Sequence, residues 1–344
     1  LVEAEIRRAL QIGCEIRYDT AATRLIQDKN KKITGLEISS PDGIETINAR
    51  SIVLACGGFE SNPEMRARYL GPGWDLARVR GTKHNMGDGI KMAIDIGARA
   101  YGNWSGCHSV GWDISAPEYG DYEVLDNFQK HSYPWGIMVN TDGNRFVDEG
   151  EDLRNHTYVK FGREIMKQPN RTAIQIFDQK TIPLLRDEYR IRQVTKVSGN
   201  TIAELAQELE INVSALTKTI DEFNAACKPG NFNPSILDGV ATTGLNPNKT
   251  NWALPVDEPP FEAFITTTGV TFTFGGLKVD EKGSVLDNND RSISGLFAAG
   301  ELVGGLFYEN YPGGSGLMAG AVYGKIAGEN AASHAIGNSK DTSH

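Results

Sequence analysis

The chain contains few of the residues that build metal sites and disulfide frameworks. Its 344 residues include four cysteines and six histidines, and none of these stands in a CxxC or HxxxH spacing. No run of about 18 apolar residues occurs either, so the sequence predicts no membrane-spanning helix. The cysteines are typical of incidental thiols in a reducing compartment, and we expect a cytoplasmic protein without a metal.

Basic residues are outnumbered as well. The chain has 35 lysines and arginines against 44 aspartates and glutamates, which gives a formal net charge of −9 at pH 7. This balance argues against nucleic acid as a partner, but it leaves an anionic substrate open because a few local arginines decide that. No signal peptide is visible, and the first residue is Leu1 rather than Met, so we expect that the natural N-terminus is absent.

Glycine is abundant, and the 38 glycines cluster in turns beside apolar stretches. Residues 1–13 have helical periodicity, and alternating patterns predict strands on both sides of a polar hairpin at residues 28–32. The segment ARSIVLACGGFESN predicts a fully apolar, buried strand that ends in a tight turn at Gly57 and Gly58, where ligands bind in open α/β sheets. A Gly-Asp-Gly turn then opens a helix, with Asp88 as its candidate N-cap.

The composition shifts after Tyr101 to an aromatic, glycine-rich segment with little helical pattern. The region beyond contains a hairpin turn at Asp142 and Gly143, a capping box that starts at Thr201, and an amphipathic helix in NVSALTKTIDEFNAAC. A linker-like loop rich in proline and asparagine covers 229–260, and strand-and-turn patterns then resume. The sequence therefore predicts an α/β domain that is interrupted by an inserted region.

The stretch YENYPGGSGLMAGAVYGKIAG places three glycines ahead of a small-residue helix. Gly313, Gly314 and Gly316 let the backbone turn with positive φ and leave the first N–H groups of the helix uncovered by side chains. Such a helix start favours an anion or an electron-rich ring edge. The alternative is a buried helix that packs closely through its apolar face. That face comprises Leu317, Ala321, Val322 and Ile326.

Five segments together resemble the fumarate reductase/succinate dehydrogenase flavoprotein superfamily. They are VLACGGFESNPEM, NMGDGIKMAIDIGA, NTDGNRFVDE, GLFAAGELVGG and NYPGGSGLMAGAVYGKIAG, in the order and spacing of that family. Within it the chain is most similar to the tricarballylate dehydrogenases, through RGTKHNMGDG, GNWSGCHSVGWD, RDEYRIRQVTK and TFTFGGLKVD. Members of this group also carry the name precorrin-3B synthase.

The resemblance implies an α/β fold in which a glutathione-reductase-like FAD-binding domain is interrupted by an α+β capping domain that binds substrate. It places the FAD-binding domain at residues 1–101 and 261–337, the capping domain at 102–260, and a disordered tail at 338–344. The family's FAD fold begins with a strand, a GxGxxG turn and a helix that hold the pyrophosphate. No GxGxxG occurs here, so we expect the chain to be a fragment that starts after this unit.

The resemblance also assigns residues to the FAD cofactor. Glu301 resembles the carboxylate that holds a ribityl hydroxyl of the flavin, and its alternative is a solvated loop acid. Gly314, Gly316 and Leu317 match positions whose backbone N–H groups face the flavin pyrimidine. The remaining cofactor candidates are Ala22 at the adenine, Gly57 and Gly58 at the dinucleotide, and Asp88 near the flavin.

The catalytic candidates are His108, Arg154 and Tyr311. His108 matches a histidine that contacts a substrate carboxylate, although a lone histidine also serves structural roles. Arg154 lies one residue from the position of the family's proton-shuttling arginine, and its alternative is a carboxylate clamp. Tyr311 stands where the fumarate reductases have a substrate-binding arginine, and Phe272 stands where they have a second histidine.

These departures indicate a different acid, or a carbonyl substrate polarised by the Tyr311 hydroxyl as in the ketosteroid dehydrogenases. The segment KHSYPWG also replaces the Glu and Arg of the family's proton relay. Four aromatic residues either widen the pocket or pack a core, and three arginines either bind carboxylates or form a solvated face. These residues are Trp104, Trp112, Tyr133, Trp135, Arg186, Arg190 and Arg192.

The resemblance therefore implies an FAD-dependent oxidoreductase that moves hydride between a carboxylate-activated CH–CH bond and flavin N5, with tricarballylate oxidised to aconitate as the leading reaction. The alternatives are a fumarate reductase-like or 3-ketosteroid dehydrogenase-like flavoenzyme with another substrate, and an inert fragment unable to hold FAD. The implied partners are a di- or tricarboxylate substrate and a membrane-bound iron–sulfur electron acceptor. Such an acceptor would bring the protein to the periphery of the inner membrane.

Overall fold

The computed structural model describes residues 1–337, and the predicted disordered tail at 338–344 lies outside the described residues. Helices of seven or more residues in this part of the chain are α1 (Val2–Gln11), α2 (Asp88–Asp95), α3 (Arg154–Met166), α4 (Ile202–Glu208), α5 (Val213–Ala226) and α6 (Ser315–Gly337). The strands are β1 (Ala21–Gln27), β2 (Ile33–Ser40), β3 (Gly43–Asn48), β4 (Ile52–Leu54), β5 (Arg78–Val79), β6 (Ala100–Asp113), β7 (Ile137–Asn140), β8 (Ala173–Phe177), β9 (Lys196–Gly199), β10 (Phe261–Leu277), β11 (Ser284–Leu286) and β12 (Ser292–Ala298).

These strands form three sheets within residues 1–337. The first is an antiparallel meander, β1–β2–β3, whose first turn is the predicted hairpin and is closed by the Asp28 N–H donating to Lys32 O at 2.9 Å. The second has the order β11–β12–β4, and in it β4 runs parallel to β12. The third and largest contains β5 to β10. Mixed helix and sheet of this kind agrees with the predicted α/β class.

Strand β10 is the longest element of the largest sheet. Its 17 residues pair antiparallel with β6, β8 and β9, and near Gly269 they pair in parallel with β5. This register sets Phe272 beside His108 of β6. Strand β10 begins at Phe261, just after the predicted end of the capping domain at residue 260. Its partners β6, β8 and β9 lie earlier in the sequence, mostly in the range predicted for the capping domain, so the sheet combines strands from both predicted domains. The domain boundaries therefore stay a prediction.

Two apolar cores flank the region where β4 and β10 end. One lies under the β11–β12–β4 sheet and α2, and the other lies between α3 and the face formed by β6 and β10. Members of the first core include Leu54, Ile90, Ala93, Leu296 and Leu302. Members of the second include Val110, Trp112, Tyr133, Phe161 and Ile165. Burying these side chains is the main force that fixes the strand ends in place.

Helix starts follow the local capping signals in two cases and not in a third. Thr201 Oγ1 accepts a hydrogen bond from Glu204 N at 3.1 Å, and Asn212 Oδ1 accepts one from Ala215 N at 2.9 Å. The prediction of Asp88 as an N-cap is wrong, because Gly87 caps α2 and Asp88 is the first helical residue, without a cap bond. The backbone before α2 has φ of +83°, which suits glycine.

Burial departs from the prediction at β4 and at α6. Val53 of β4 is exposed and only Leu54 is buried, so the strand is not buried along its length. In α6 the predicted apolar face is also uncovered, with Leu317 65% and Val322 48% exposed. The buried residues of α6 are Ala327 and Ala331 instead. Periodicity identifies residues that share a face, but it does not say what covers that face.

The region 229–260 is packed rather than linker-like. Trp252 and Lys249 are both almost fully buried, and the Lys249 ammonium donates to Pro134 O at 2.8 Å and to Gly136 O at 2.6 Å. The segment is a loop, as the sequence pattern predicted, but side-chain contacts fix it against the rest of the protein. None of the helices described for residues 1–337 has both the length and the apolar character that a membrane crossing requires.

Candidate functional site

A cavity of about 490 Å³ lies where the turn after β4, the middle of β10 and the start of α6 meet. Its lining divides into two surfaces of opposite chemistry. We call Glu60, Asn85, Thr273 and Glu301 the acid wall. We call Phe272, Phe274, Phe307 and Tyr311 the aromatic wall. A cavity of this size with a few convergent polar groups is typical of a ligand site.

The acid wall depends on the absence of a side chain at Gly58. A Cβ atom at this position would overlap Glu301 Oε1 and Thr273 Oγ1. Because that space is free, Glu301 Oε1 can accept hydrogen bonds from Thr273 N at 2.8 Å and from the Thr273 hydroxyl at 3.3 Å. The close approach predicted at Gly58 is thus made by the protein's own carboxyl group.

Glu60 is the second carboxyl group of the acid wall, and the sequence analysis missed it. Its side chain is 2% exposed. Glu60 Oε1 accepts a hydrogen bond from the Asn85 amide, whereas Glu60 Oε2 is buried without a hydrogen-bond partner among residues 1–337. Burial raises the pKa of Glu60, and burial together with the neighbouring Glu60 raises the pKa of Glu301 well above its ordinary value. Two carboxyl groups with raised pKa values therefore lie together on the acid wall.

The aromatic wall packs against His108 from behind. The Phe272 ring stacks on His108 with centroids 5.3 Å apart, and the Tyr311 ring meets it edge-on at 4.6 Å. His108 is buried, and burial and the charge of Arg80 lower its pKa well below the ordinary value. The imidazole is therefore neutral at pH 7 and can act as a hydrogen-bond donor or acceptor, but not as a cation.

Tyr311 also closes the start of α6. Its hydroxyl accepts a hydrogen bond from Gly316 N at 2.9 Å. The start of α6 was predicted to be uncovered. This prediction needs correction at Gly316, because its N–H group already has a hydrogen-bond partner in the chain. Gly314 has φ of +86°, and a Cβ atom there would meet no other atom within 4 Å. Gly316 and Leu317 both line the cavity.

Arg154 reaches the cavity only through other side chains. It is the first residue of α3, and its Nη1 atom lies 3.3 Å from His131 Nδ1. Its guanidinium lies 5.7 Å from the centre of the Tyr158 ring, and the Tyr158 hydroxyl is 3.2 Å from His108 Nε2. The three catalytic candidates are thus linked in the order Arg154, Tyr158, His108, Tyr311, although Arg154 does not line the cavity.

His131 is a further site residue that the sequence analysis did not identify. It is buried, and its pKa is lowered well below the ordinary value by burial and by the charge of nearby arginines. A neutral His131 can accept the Arg154 hydrogen bond at Nδ1. It lies in KHSYPWG, which was identified only as a departure from the family.

Several predicted residues lie away from the cavity. Ala22 pairs with Ile38 in the first sheet, and Asp88 lies exposed at the start of α2. The three arginines are solvated or bound elsewhere, since Arg186 contacts Glu188 and Arg190 donates to Leu185 O. The four aromatic residues pack against protein, as their alternative interpretation expected. They are Trp104, Trp112, Tyr133 and Trp135.

Comparison with known protein families gives a match to the FAD binding domain model over residues 1–317. The chain is 30% identical over 341 residues to a probable fumarate reductase of Shewanella frigidimarina, covering 98% of this chain and 53% of that protein. It is 32% identical over 338 residues to an NADH:acrylate oxidoreductase of Vibrio harveyi, covering 94% of this chain and 31% of that protein. The chain thus spans about half of the first relative and about a third of the second.

Two solved structures have a similar fold. One is the open conformation of a flavocytochrome c3 fumarate reductase, with a TM-score of 0.75 and 28% identity over 97% of this chain and 55% of that chain. The other is a 3-ketosteroid delta1-dehydrogenase from Sterolibacterium denitrificans, with a TM-score of 0.73 and 25% identity over 94% of this chain and 61% of that chain.

The residues at the cavity fit the flavin end of FAD. The buried and unpartnered Glu60 Oε2 offers a polar atom, and the glycine-rich start of α6 leaves room for a ring with hydroxyl groups. The sequence contains no GxGxxG turn to hold the phosphates. The fit therefore concerns the flavin and its ribityl chain.

Proposed function

Because the chain belongs to the FAD binding domain family, whose cofactor is FAD, we propose that it is the substrate-side part of an oxidoreductase that acts on CH–CH bonds. The observation that carries this proposal is that the acid wall and the aromatic wall line the same cavity. His108 packs behind the aromatic wall. The first wall suits a hydroxyl-bearing cofactor, and the second suits an organic substrate.

Bound FAD would supply hydride acceptance or donation at flavin N5. On the acid wall, Glu301 would hold a ribityl hydroxyl. At the start of α6, the backbone of Gly314, Gly316 and Leu317 would face the flavin pyrimidine, with the one N–H of Gly316 shared with Tyr311. The outlying cofactor candidates stay proposals with less support from the cavity. These are Ala22, Gly57 and Asp88.

On the substrate side, the Tyr311 hydroxyl would bind the carbonyl or carboxylate oxygen that activates the reacting carbon. A carbon acid next to such a group is weak, so donors that meet the developing oxyanion lower the barrier. His108, which packs against the aromatic wall and does not line the cavity, would support Tyr311 from behind. Arg154 would carry the proton, held in place by the neutral His131 and by the Tyr158 ring. Its alternative role is a clamp for a substrate carboxylate.

The leading substrate proposal is tricarballylate, oxidised to aconitate, and one observation favours a second candidate. The described residues that line the cavity include no lysine, arginine or histidine side chain, and aromatic rings form one whole wall. Three carboxylates would each need a cation or several donors. A monoanionic or neutral carbonyl substrate, as in a ketosteroid-type dehydrogenase, needs fewer.

Absorbance of the purified chain after incubation with FAD tests the proposal. A retained flavin spectrum supports the enzyme, and a colourless protein supports the alternative of a fragment unable to hold FAD. Anaerobic bleaching of the flavin by tricarballylate, by succinate or by a 3-oxosteroid then separates the substrate candidates. A membrane-bound iron–sulfur acceptor stays part of the proposal, to be tested by adding artificial electron acceptors in its place.

A further inference from the structure

On the acid wall, two ionised carboxylates would leave a carboxylate oxygen without a hydrogen-bond donor. Glu60 and Glu301 lie within hydrogen-bonding reach of each other. The Glu60 Oε2 atom nevertheless has no donor among residues 1–337. Two carboxylates can only accept hydrogen bonds, so contact between them is repulsive unless one carries a proton.

A nearby cation, Arg66, does not supply the missing hydrogen-bond donor. The guanidinium of Arg66 is buried beside Glu60, but its N–H groups donate to backbone carbonyls. These carbonyls belong to Glu60, Trp74, Asp75 and Ala77. Arg66 therefore contributes one positive charge at short range and no hydrogen bond to either carboxyl group. One buried positive charge balances one negative charge, and two carboxylates would leave an excess.

The other groups around the pair are neutral. Asn85 donates to Glu60 Oε1, and Thr273 donates to Glu301 Oε1. The Cys107 thiol of β6 is close enough to Glu60 to interact with it electrostatically, and burial raises the pKa of this thiol to about 12, so it adds no charge at pH 7. A single proton between the two carboxyl groups supplies both the missing donor and the charge balance.

We propose that Glu60 and Glu301 share one proton and bind the cofactor as a single monoanionic unit, in which Glu301 donates to Glu60. In this form the acid wall carries one negative charge and can accept hydrogen bonds from a hydroxyl-bearing ligand such as a ribityl chain. Loss of the proton would set two negative charges against the ligand in a buried site, and cofactor affinity would fall as the pH rises. The proposal concerns the state of the protein itself, and it holds whether or not the chain turns over a substrate.

Infrared spectroscopy of the purified chain as a function of pH tests the shared proton directly. We expect the wild-type protein to retain the carbonyl stretch of a protonated carboxylic acid at pH 7. In Glu60→Gln, which removes the neighbouring charge and supplies an amide donor, the midpoint of that signal should fall by about one pH unit or more, a tenfold loss in proton affinity. In Glu301→Gln the signal should disappear.

The matched control is Glu64→Gln, since Glu64 lies four residues from Glu60 and forms an exposed ion pair with Arg68. It should leave the signal unchanged. The proposal is overturned if the wild-type protein shows no protonated acid at pH 7, or if the midpoint is the same in Glu60→Gln as in the wild type. The wild-type spectrum decides the first point even if a variant does not fold.

Discussion

Burial shifts pKa values in opposite directions on the two sides of the cavity. On the acid wall, desolvation acts on Glu60 and Glu301 and raises their pKa values, so the folded protein binds protons there more tightly than the unfolded chain does. Behind the aromatic wall, desolvation acts on His108 and His131 and lowers their pKa values, so the folded protein binds protons there less tightly. The same physical cause gives both sides a reduced charge, because burial penalises whichever form is ionised.

Because its two sides differ in this way, one cavity can serve both a cofactor and a substrate. A wall that carries one shared negative charge suits hydroxyl groups, and a wall of rings and neutral imidazole suits an organic substrate with one polar atom. Substitutions on each side of the cavity separate the two roles.

The largest effect is expected from Arg154→Lys. A proton carrier of this kind contributes about 10²–10⁴-fold to the rate, and lysine replaces a planar fork with a point charge that cannot hold the same geometry against His131. Turnover should fall by that factor while flavin stays bound, as measured by steady-state kinetics and by absorbance. Arg163→Lys, on the same helix, is the matched control, and near-normal turnover in Arg154→Lys would remove Arg154 from the mechanism.

Tyr311→Phe should have a smaller effect on the substrate side. It removes the hydroxyl proposed to bind the substrate oxygen, and a lost hydrogen bond to a charged group costs about 1.5–3 kcal/mol. We expect turnover to slow, or the Michaelis constant to rise, by roughly tenfold to a hundredfold. Tyr308→Phe is the control because Tyr308 is exposed, and equal kinetics in both variants would place Tyr311 outside the reaction.

On the acid wall, Gly58→Ala should destabilise the fold. The added Cβ atom would overlap Glu301 and Thr273, and overpacking of this kind costs about 1–3 kcal/mol. Gly320→Ala in α6 should instead stabilise the protein by up to about 1 kcal/mol, because nothing lies within 4 Å of its added Cβ atom. Urea unfolding measures both, and a neutral Gly58→Ala would mean that Glu301 does not occupy the space the structure gives it.

The smallest effect is a difference in the pH dependence of stability. Because the carboxyl pKa values are raised, the acid wall contributes stability below the unfolded glutamate pKa and loses it as the pH rises. Because the histidine pKa values are lowered, the aromatic side contributes stability above the unfolded histidine pKa and loses it as the pH falls. Urea unfolding across pH 4.5–8 should therefore show a weaker loss toward high pH in Glu60→Gln and a weaker loss toward low pH in His108→Gln. Parallel curves for the two variants would contradict the assignment.

Much of the local structure was predictable because its causes lie within a few residues. The hairpin at residues 28–32 and the caps at Thr201 and Asn212 depend on side chains that bond to backbone nearby. Helix α3 was not predicted because its N-cap, Leu153, makes no side-chain cap bond. Its register comes from packing against β6, which no local pattern reveals.

The site was predictable only in part, and for a related reason. Glu301, Tyr311, Gly316 and Leu317 follow from the family resemblance, and the cavity brings them together. Glu60 was missed, since nothing in GGFESN indicates that its side chain meets an acid 241 residues later in the chain. The roles of all these residues stay predictions until they are tested.

On the proposed function, the cavity between the two walls receives the flavin. Titration of FAD into the purified chain, followed by flavin fluorescence, tests it most directly when wild type is compared with Gly58→Leu and with Gly328→Leu. We expect saturable binding to the wild type and to Gly328→Leu, where an added Cβ atom would meet no other atom within 4 Å, and loss of binding in Gly58→Leu. Equal binding by all three proteins, or none by the wild type, would contradict it.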